Sequence, residues 1–220
     1  MNIVTTPKDL SRLDVLESSD EKIVVLSPVG FPPKVIRKSA APRLESLNGK
    51  TIYLVDCRFD DSIELLKQVQ AWFAQHMPGV TTRIVSLSST YQKDDPKTWA
   101  EIKEHGDAAI VGVGHCSNCS PAVATHAITL ETKYGVPTVG LHTDKFDRVV
   151  ESVTRMAGLP QAPRAFVPQP VMGKTAAELA AYVNGKDPIS GRPVMQEVIE
   201  ALTDAVDADR SGSLGGKHVG

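Results

Sequence analysis

The chain lacks the features by which several classes of protein are recognised. No apolar run approaches the ~20 residues that a membrane-spanning helix needs. The formal net charge is −2, and no basic stretch is interleaved with aromatic residues as in nucleic-acid surfaces. The N-terminus has no basic segment followed by an apolar one, so we expect no secretory signal. These absences favour a cytoplasmic protein that binds neither nucleic acid nor membrane.

Nucleotide-binding loops are also missing. Gly112 and Gly114 are followed by no third glycine at the spacing of a dinucleotide-binding motif. No segment matches a phosphate-binding lysine loop. A nucleotide cofactor is therefore not indicated by any motif, and a fold class alone does not supply one.

Cysteine is scarce, with only three in 220 residues. An odd and small number does not make a disulfide framework. Two of the three, Cys116 and Cys119, are nevertheless separated by only two residues. In a reducing compartment such a pair is more often catalytic or metal-binding than structural.

From residue 44 onward, apolar strands alternate with amphipathic helices. The pattern predicts strands at 51–56, 82–87, 107–113, 135–141 and 164–167, with helices between them. This alternation indicates right-handed βαβ units. We therefore predict an α/β fold with a mostly parallel, flavodoxin-like or Rossmann-like sheet and helices on both faces.

The chain divides into four parts. Residues 1–45 are proline-rich and predict an extended N-terminal arm, with a candidate short strand at its centre. Residues 46–170 form the α/β domain that carries the cysteine pair. Residues 171–207 are a C-terminal helical extension, whose last helix has an apolar stripe to bury against its own sheet or a partner subunit. The composition of residues 208–220 predicts a flexible tail. The arm and the stripe suggest a homo- or hetero-oligomer.

The cysteine pair lies between the end of the third predicted strand and the start of the helix predicted after it. The strand ends at Gly114, and Ser120-Pro121 is typical of a helix start, because serine caps and proline fits the first turn. Free N–H groups and the helix dipole at such a terminus stabilise a thiolate. The chemistry of the protein is therefore expected at Cys116 and Cys119.

Other candidate residues follow from sheet topology. Ligands of open α/β sheets bind beyond the carboxyl ends of the strands, where the strand order reverses. With the order 2-1-3-4-5, the ends of the first and third strands flank that crevice. The candidate catalytic residues are then Cys116, Cys119, His115, Asp56 and His142. The candidate substrate-binding residues are Cys57, Arg58, Ser117, Asn118, Ser120 and Thr143.

Each candidate also has a plainer interpretation. The cysteine pair could be two small core residues, since free cysteine is among the most buried residue types. His115 could simply turn the chain, and Asp56 could hold the loop at Arg58. Cys57 is more typical of a buried small residue than of a third reactive thiol.

Three segments in order carry a family resemblance: CSNC at 116–119, AITLE at 127–131 and GVPTV at 135–139. Together they resemble the UGSC-like proteins, named for a selenocysteine-Gly-Ser-Cys motif. The resemblance extends over about residues 44–147. A looser likeness reaches the selenoprotein B subunit of glycine, sarcosine and betaine reductases.

The resemblance places Cys116 at the selenocysteine position and Cys119 at the resolving cysteine position. It implies thiol or selenol redox chemistry on a small molecule. The chain departs from the family motif because cysteine replaces selenocysteine and Ser117-Asn118 replace Gly-Ser. His115 directly precedes the pair, which leaves room for a metal site.

The first hypothesis is a thiol-dependent enzyme acting on a small molecule by redox chemistry or reductive cleavage. Cys116 attacks, Cys119 resolves the adduct as a disulfide, and His142 or Asp56 moves protons. Lowering a thiol pKa from about 8.5 to about 7 raises the thiolate fraction at neutral pH to about half.

Two alternatives stay open. In a metal-dependent hydrolase, hydratase or lyase, Cys116 and Cys119 would hold a metal ion as cofactor, completed by Cys57, His115 or His142. In a multisubunit reductase, the chain would be a non-catalytic subunit that docks through its arm and terminal helix. The substrate itself is not given by the sequence.

Overall fold

A computed structural model describes residues 34–204. Most of the predicted arm, with its candidate strand, and the predicted tail lie outside the described residues. The strands are β1 (Thr51–Asp56), β2 (Thr81–Ser86), β3 (Ala108–Gly114), β4 (Thr138–Thr143) and β5 (Arg164–Val167). The helices are α1 (Ser62–His76), α2 (Pro96–His105), α3 (Cys119–Thr129), α4 (Asp147–Met156), α5 (Ala176–Val183) and α6 (Val194–Thr203). A π-helical turn (Leu130–Tyr134) and a 3-10 turn (Asp144–Phe146) complete the set.

The five strands form one parallel sheet in the order β2-β1-β3-β4-β5. The predicted α/β class is confirmed, and the order is the one on which the predicted crevice depends. Strand order reverses between β1 and β3, so their carboxyl ends flank a crevice at one edge of the sheet.

Alternation along the strands builds a separate core on each face of the sheet. Ile52 and Leu54 of β1 pack with α1, α5 and α6, whereas Tyr53 and Val55 pack with α2 and α3. Successive residues of a strand point to opposite faces, so one apolar strand supplies both cores. This arrangement holds α1 and α3, the helices that start at the crevice, against opposite faces.

The last helix is buried against its own sheet. Val194, Met195, Val198 and Leu202 of α6 are buried, and the helix packs on β4 and β5. The apolar stripe predicted for this helix is therefore satisfied within the chain over its described residues.

Helix α3 and strand β4 depart from the predicted bounds in one respect. The helix changes to π-type hydrogen bonding at Leu130 and ends at Gly135, whose φ of 65° is left-handed. Strand β4 consequently starts at Thr138, three residues later than predicted, because Gly135 and Pro137 belong to the turn.

A buried ion pair ties the residues before β1 to the end of α3. The Glu131 carboxylate accepts hydrogen bonds from the Ala41 and Thr138 N–H groups, both at 2.6 Å, and from the Arg43 guanidinium. Burial raises the pKa of Glu131, although Arg43 opposes that shift. The pair fixes the chain's path into the sheet.

No helix within residues 34–204 is long and apolar enough to cross a membrane.

Candidate functional site

The two motif cysteines form a disulfide at the start of α3. Their Cα atoms are 5.0 Å apart, and Cys119 is the first residue of the helix. Cys116 is partly exposed, whereas Cys119 is only 2% exposed. Ser117 and Asn118, which join them, are exposed. A molecule arriving from solvent therefore meets Cys116 before Cys119.

A sulfur atom occupies the place of the usual helix cap. The Cys119 N–H donates to Cys116 Sγ at 2.9 Å, and the Ser120 N–H donates to the Cys116 carbonyl at 3.1 Å. Asn118 stands at the capping position but makes no side-chain capping hydrogen bond. The first free amide of α3 therefore points at Cys116 Sγ, and an N–H group at a helix start is the kind of partner that stabilises a thiolate.

The cap expected from Ser120 is wrong. Helix α3 begins at Cys119, two residues earlier than a cap at Ser120 requires, so Ser120 lies inside the first turn. Its hydroxyl is fully buried and has no hydrogen-bond partner within the described chain. The sulfur of Cys116 takes over the role that serine oxygen usually plays.

A β-bulge at the end of β3 changes the direction of the strand just before the cysteine pair. Val111 pairs with Gly140 and Gly114 pairs with His142, so β3 carries one residue more than β4 across this interval. The Val113 N–H donates instead to the buried Ser62 Oγ, at 2.7 Å. Such bulges bend a strand and redirect its side chains. Gly114 consequently faces α3.

Asp56 at the end of β1 holds the following turn. One carboxylate oxygen accepts the Arg58 N–H and the other accepts Ser86 Oγ–H, both at 2.8 Å. Arg58 has a left-handed φ of 63° and is exposed, with its guanidinium 3.4 Å from the Leu87 carbonyl oxygen. These contacts match the plainer interpretation of Asp56, and its part in proton transfer stays a prediction.

Cys57 lies in the core between the sheet and α2. Its side chain is 0% exposed and packs with Trp99 and Val111. Burial raises the pKa of its thiol, and the neighbouring Asp56 carboxylate raises it further. The thiol is therefore neutral at ordinary pH, and contact with a substrate stays a prediction.

His115 precedes the disulfide and is held by an aromatic contact. Its ring packs edge-on against Phe59, with centroids 6.0 Å apart, and the residue is 9% exposed. Burial lowers the pKa of His115, while Asp60 and Asp61 partly oppose that shift. The imidazole is therefore neutral at neutral pH and could accept or donate one proton.

His142 is enclosed beneath α3. It is 1% exposed, and an ideal Cβ on Gly114 or Gly140 would lie within 3 Å of a ring nitrogen. Burial lowers the pKa of His142 to about 3, and Arg164 lowers it further. The neighbouring Thr143 is also buried, and its hydroxyl lies 3.4 Å from the Gly114 carbonyl oxygen.

Gln169 is a site residue that the sequence interpretation missed. It follows β5, and its side-chain amide donates to the His115 carbonyl at 3.3 Å. Its own N–H donates to an Asp144 carboxylate oxygen at 2.9 Å. The signal was a polar residue just beyond the fifth strand, at the same edge of the sheet as the other candidates.

Several buried polar atoms at this edge have no hydrogen-bond partner within residues 34–204. They are His115 Nε2, Ser120 Oγ, His142 Nδ1 and Gln169 Oε1. An unsatisfied buried polar atom costs about 1–3 kcal/mol, so native structures keep few of them. They belong to residues at the ends of β3, β4 and β5 and in the first turn of α3, the same edge of the sheet that carries the cysteine pair.

In the described part of the chain, no group of three or more His, Cys, Asp or Glu residues is arranged to hold a metal ion. The metal-binding alternative at Cys116 and Cys119 stays a prediction.

The fold and the site together define a parallel α/β protein with a cysteine pair at a helix start. The model of the UGSC family matches residues 24–204, most of the chain. The chain belongs to the UGSC family, which confirms the resemblance found in the sequence. The looser likeness to selenoprotein B stays a prediction. No curated protein matches the chain.

Proposed function

We propose that the protein is a thiol-dependent redox enzyme that acts on a small molecule through Cys116 and Cys119. The observation that carries the proposal is the disulfide at the start of α3, with one sulfur accessible and accepting a helix amide. A cytoplasmic location and an oligomeric state belong to the proposal as well.

The exposure of the two cysteine residues supports an order of reaction. Cys116 is the more exposed cysteine, and its sulfur, within the disulfide, accepts the Cys119 N–H at 2.9 Å. A hydrogen bond to a charged group contributes about 1.5–3 kcal/mol, enough to lower a thiol pKa by about one to two units. Cys119 is buried behind it and suits the resolving step.

The reaction starts from the dithiol form. The Cys116 thiolate attacks one atom of a substrate bond, forms a sulfur–substrate bond, and releases the leaving group, which takes a proton. The Cys119 thiolate then attacks Cys116 Sγ, closing the disulfide and releasing the rest of the substrate with the electron pair and a proton. Two thiols are oxidised, the substrate gains two electrons and two protons, and a dithiol reductant regenerates the pair.

Labelling with iodoacetamide as a function of pH tests the proposal. In the reduced Cys119→Ser protein, we expect Cys116 to react with a midpoint below pH ~8. The matched Cys57→Ser variant should keep the same midpoint, because Cys57 is buried. A Cys116 midpoint at or above that of a free thiol would count against the proposal.

The two alternatives predict different results. Stoichiometric metal in protein purified without a metal-affinity tag would favour the metal-dependent enzyme. Activity that arises only when a partner subunit is added would favour the non-catalytic subunit. The thiol proposal expects neither.

A further inference from the structure

Two buried polar side chains lie close together beneath the first turn of α3. Ser120 is 0% exposed and His142 is 1% exposed. Both border one point, the position of an ideal Cβ on Gly114, which lies 2.3 Å from His142 Nδ1 and 2.9 Å from Ser120 Cα. One rotation about the Ser120 Cα–Cβ bond can therefore bring the serine hydroxyl toward the ring nitrogen.

The two side chains are chemically complementary, yet they are not bonded in the disulfide form. Neither Ser120 Oγ nor His142 Nδ1 has a hydrogen-bond partner within residues 34–204. Burial lowers the pKa of His142 to about 3, so its ring is neutral and one of its two nitrogens is an acceptor. A serine hydroxyl is a donor that rotates to suit its acceptor. Two such atoms left unpaired in a protein interior require an explanation.

Of the two partners, His142 is held in place by its surroundings. The ring lies beneath α3, and an ideal Cβ on Gly140 would be 2.7 Å from its Nε2 atom. Its other neighbour is the Phe166 ring, with centroids 6.0 Å apart. The imidazole therefore offers Nδ1 at a fixed position.

The position of Ser120, in contrast, depends on the disulfide. Ser120 directly follows Cys119, and its N–H donates to the Cys116 carbonyl at 3.1 Å. The Cys119 N–H donates to Cys116 Sγ at 2.9 Å, and the S–S bond joins the same two residues. Reduction breaks that covalent link, so the first turn of α3 is free to adjust and Ser120 moves with it.

We propose that Ser120 and His142 form a redox-linked hydrogen bond, which is absent in the disulfide form and made in the dithiol form. The Ser120 hydroxyl donates and His142 Nδ1 accepts. Because the bond stabilises only the dithiol, it makes the disulfide easier to reduce. Both side chains are then positioning residues, which act through the cysteine pair. The inference rests on the proposed function, since it concerns how readily the proposed dithiol is regenerated.

NMR spectroscopy of the unsubstituted, ¹⁵N-labelled protein tests the bond itself. Long-range ¹H–¹⁵N correlations of the His142 ring are recorded in the disulfide form and after reduction with dithiothreitol. We expect Nδ1 to carry no proton in either form, and its resonance to move to lower frequency on reduction, as an acceptor nitrogen does when it gains a hydrogen bond. The Ser120→Ala protein should lose that movement. A protonated Nδ1, or one Nδ1 frequency in both forms, would overturn the inference.

The redox equilibrium with dithiothreitol tests the consequence. Reduction of the disulfide takes up two electrons and two protons from dithiothreitol, which is oxidised to its cyclic disulfide. Ser120→Ala should lower the equilibrium constant for reduction about two- to tenfold, because the dithiol form loses one neutral hydrogen bond. The matched control is Thr132→Val, which removes a hydroxyl that donates to the Ile128 carbonyl at 2.7 Å, beyond the far end of α3. It should leave the constant unchanged.

An equilibrium constant that Ser120→Ala does not change would overturn the inference. Neither measurement depends on the Cys116 thiol pKa, so failure of the proposed function is distinguishable. An ordinary Cys116 thiol in the labelling test, with both Ser120→Ala effects present, would overturn the thiol proposal alone. A low labelling midpoint with neither effect would overturn the redox-linked bond alone.

Discussion

Replacing Gly114 by alanine would press one methyl group against two parts of the site at once. An ideal Cβ there lies 2.3 Å from His142 Nδ1 and 2.9 Å from Ser120 Cα. The imidazole is enclosed and cannot swing away, and the second atom is helix backbone. The first turn of α3 must therefore move.

The magnitude follows from these contacts. Overpacking a well-packed core costs about 1–3 kcal/mol of unfolding free energy. Moving the first turn also breaks the 2.9 Å hydrogen bond from the Cys119 N–H to Cys116 Sγ. Loss of a hydrogen bond to a charged group is worth about 1.5–3 kcal/mol, so the Cys116 thiol pKa should rise by about one to two units.

Two assays separate these effects. Denaturant unfolding measures the stability of the oxidised Gly114→Ala protein, and pH-dependent iodoacetamide labelling measures the Cys116 thiol pKa in its reduced form. The matched control is Gly135→Ala at the other end of the same helix. It is strained by a left-handed φ of 65°, but its Cβ meets nothing closer than 3.9 Å. The Gly135→Ala protein should lose about 1 kcal/mol of unfolding free energy, and its Cys116 thiol pKa should stay unchanged. A Gly114→Ala protein with native stability and a native labelling profile would refute the reasoning.

Three further predictions concern buried groups. The Glu131→Gln protein should lose about 3 kcal/mol or more of unfolding free energy, measured in urea, because the Arg43 cation is left buried without its charged partner. An unchanged urea midpoint would contradict this prediction. The pKa of His142 is about 3 in the folded protein and about 6.5 in the unfolded chain, so below pH 6.5 only the unfolded chain takes up the proton. Stability should therefore fall on acidification, with His142 contributing about 2 kcal/mol between pH 7 and 5, and His142→Leu should reduce that pH dependence. Cys57 should resist iodoacetamide in the native protein and react after denaturation, since it is fully buried; labelling at native rates equal to those of Cys116 would show that its core placement is wrong.

The strand-to-helix junction was predictable because local signals bracket it on both sides. Apolar β-branched residues before Gly114 mark the end of the strand, and Pro121 predicts a helix start within two residues of the observed one at Cys119. The alternation of elements also gives a parallel sheet, and the sheet order places the ends of β1 and β3 together. These features depend on residues close in sequence or on general topology.

The contacts that shape the site were not predictable in the same way. Gln169 meets the His115 carbonyl across 54 positions, and Ser62 meets the Val113 N–H across 51. No local pattern marks such contacts, because they arise only after the whole sheet has packed. The cap assignment failed for a related reason, since the helix begins at Cys119 and its first amide donates to Cys116 Sγ, three positions earlier.

The central claim is that Cys116 and Cys119 form a reversible dithiol–disulfide couple. The most direct measurement equilibrates the protein in dithiothreitol buffers of graded redox poise, quenches with acid, and counts alkylated cysteines by mass spectrometry. We predict that both motif thiols are gained and lost together in one two-electron transition, while Cys57 stays reduced throughout. Two motif thiols that remain free across the whole range would contradict the claim.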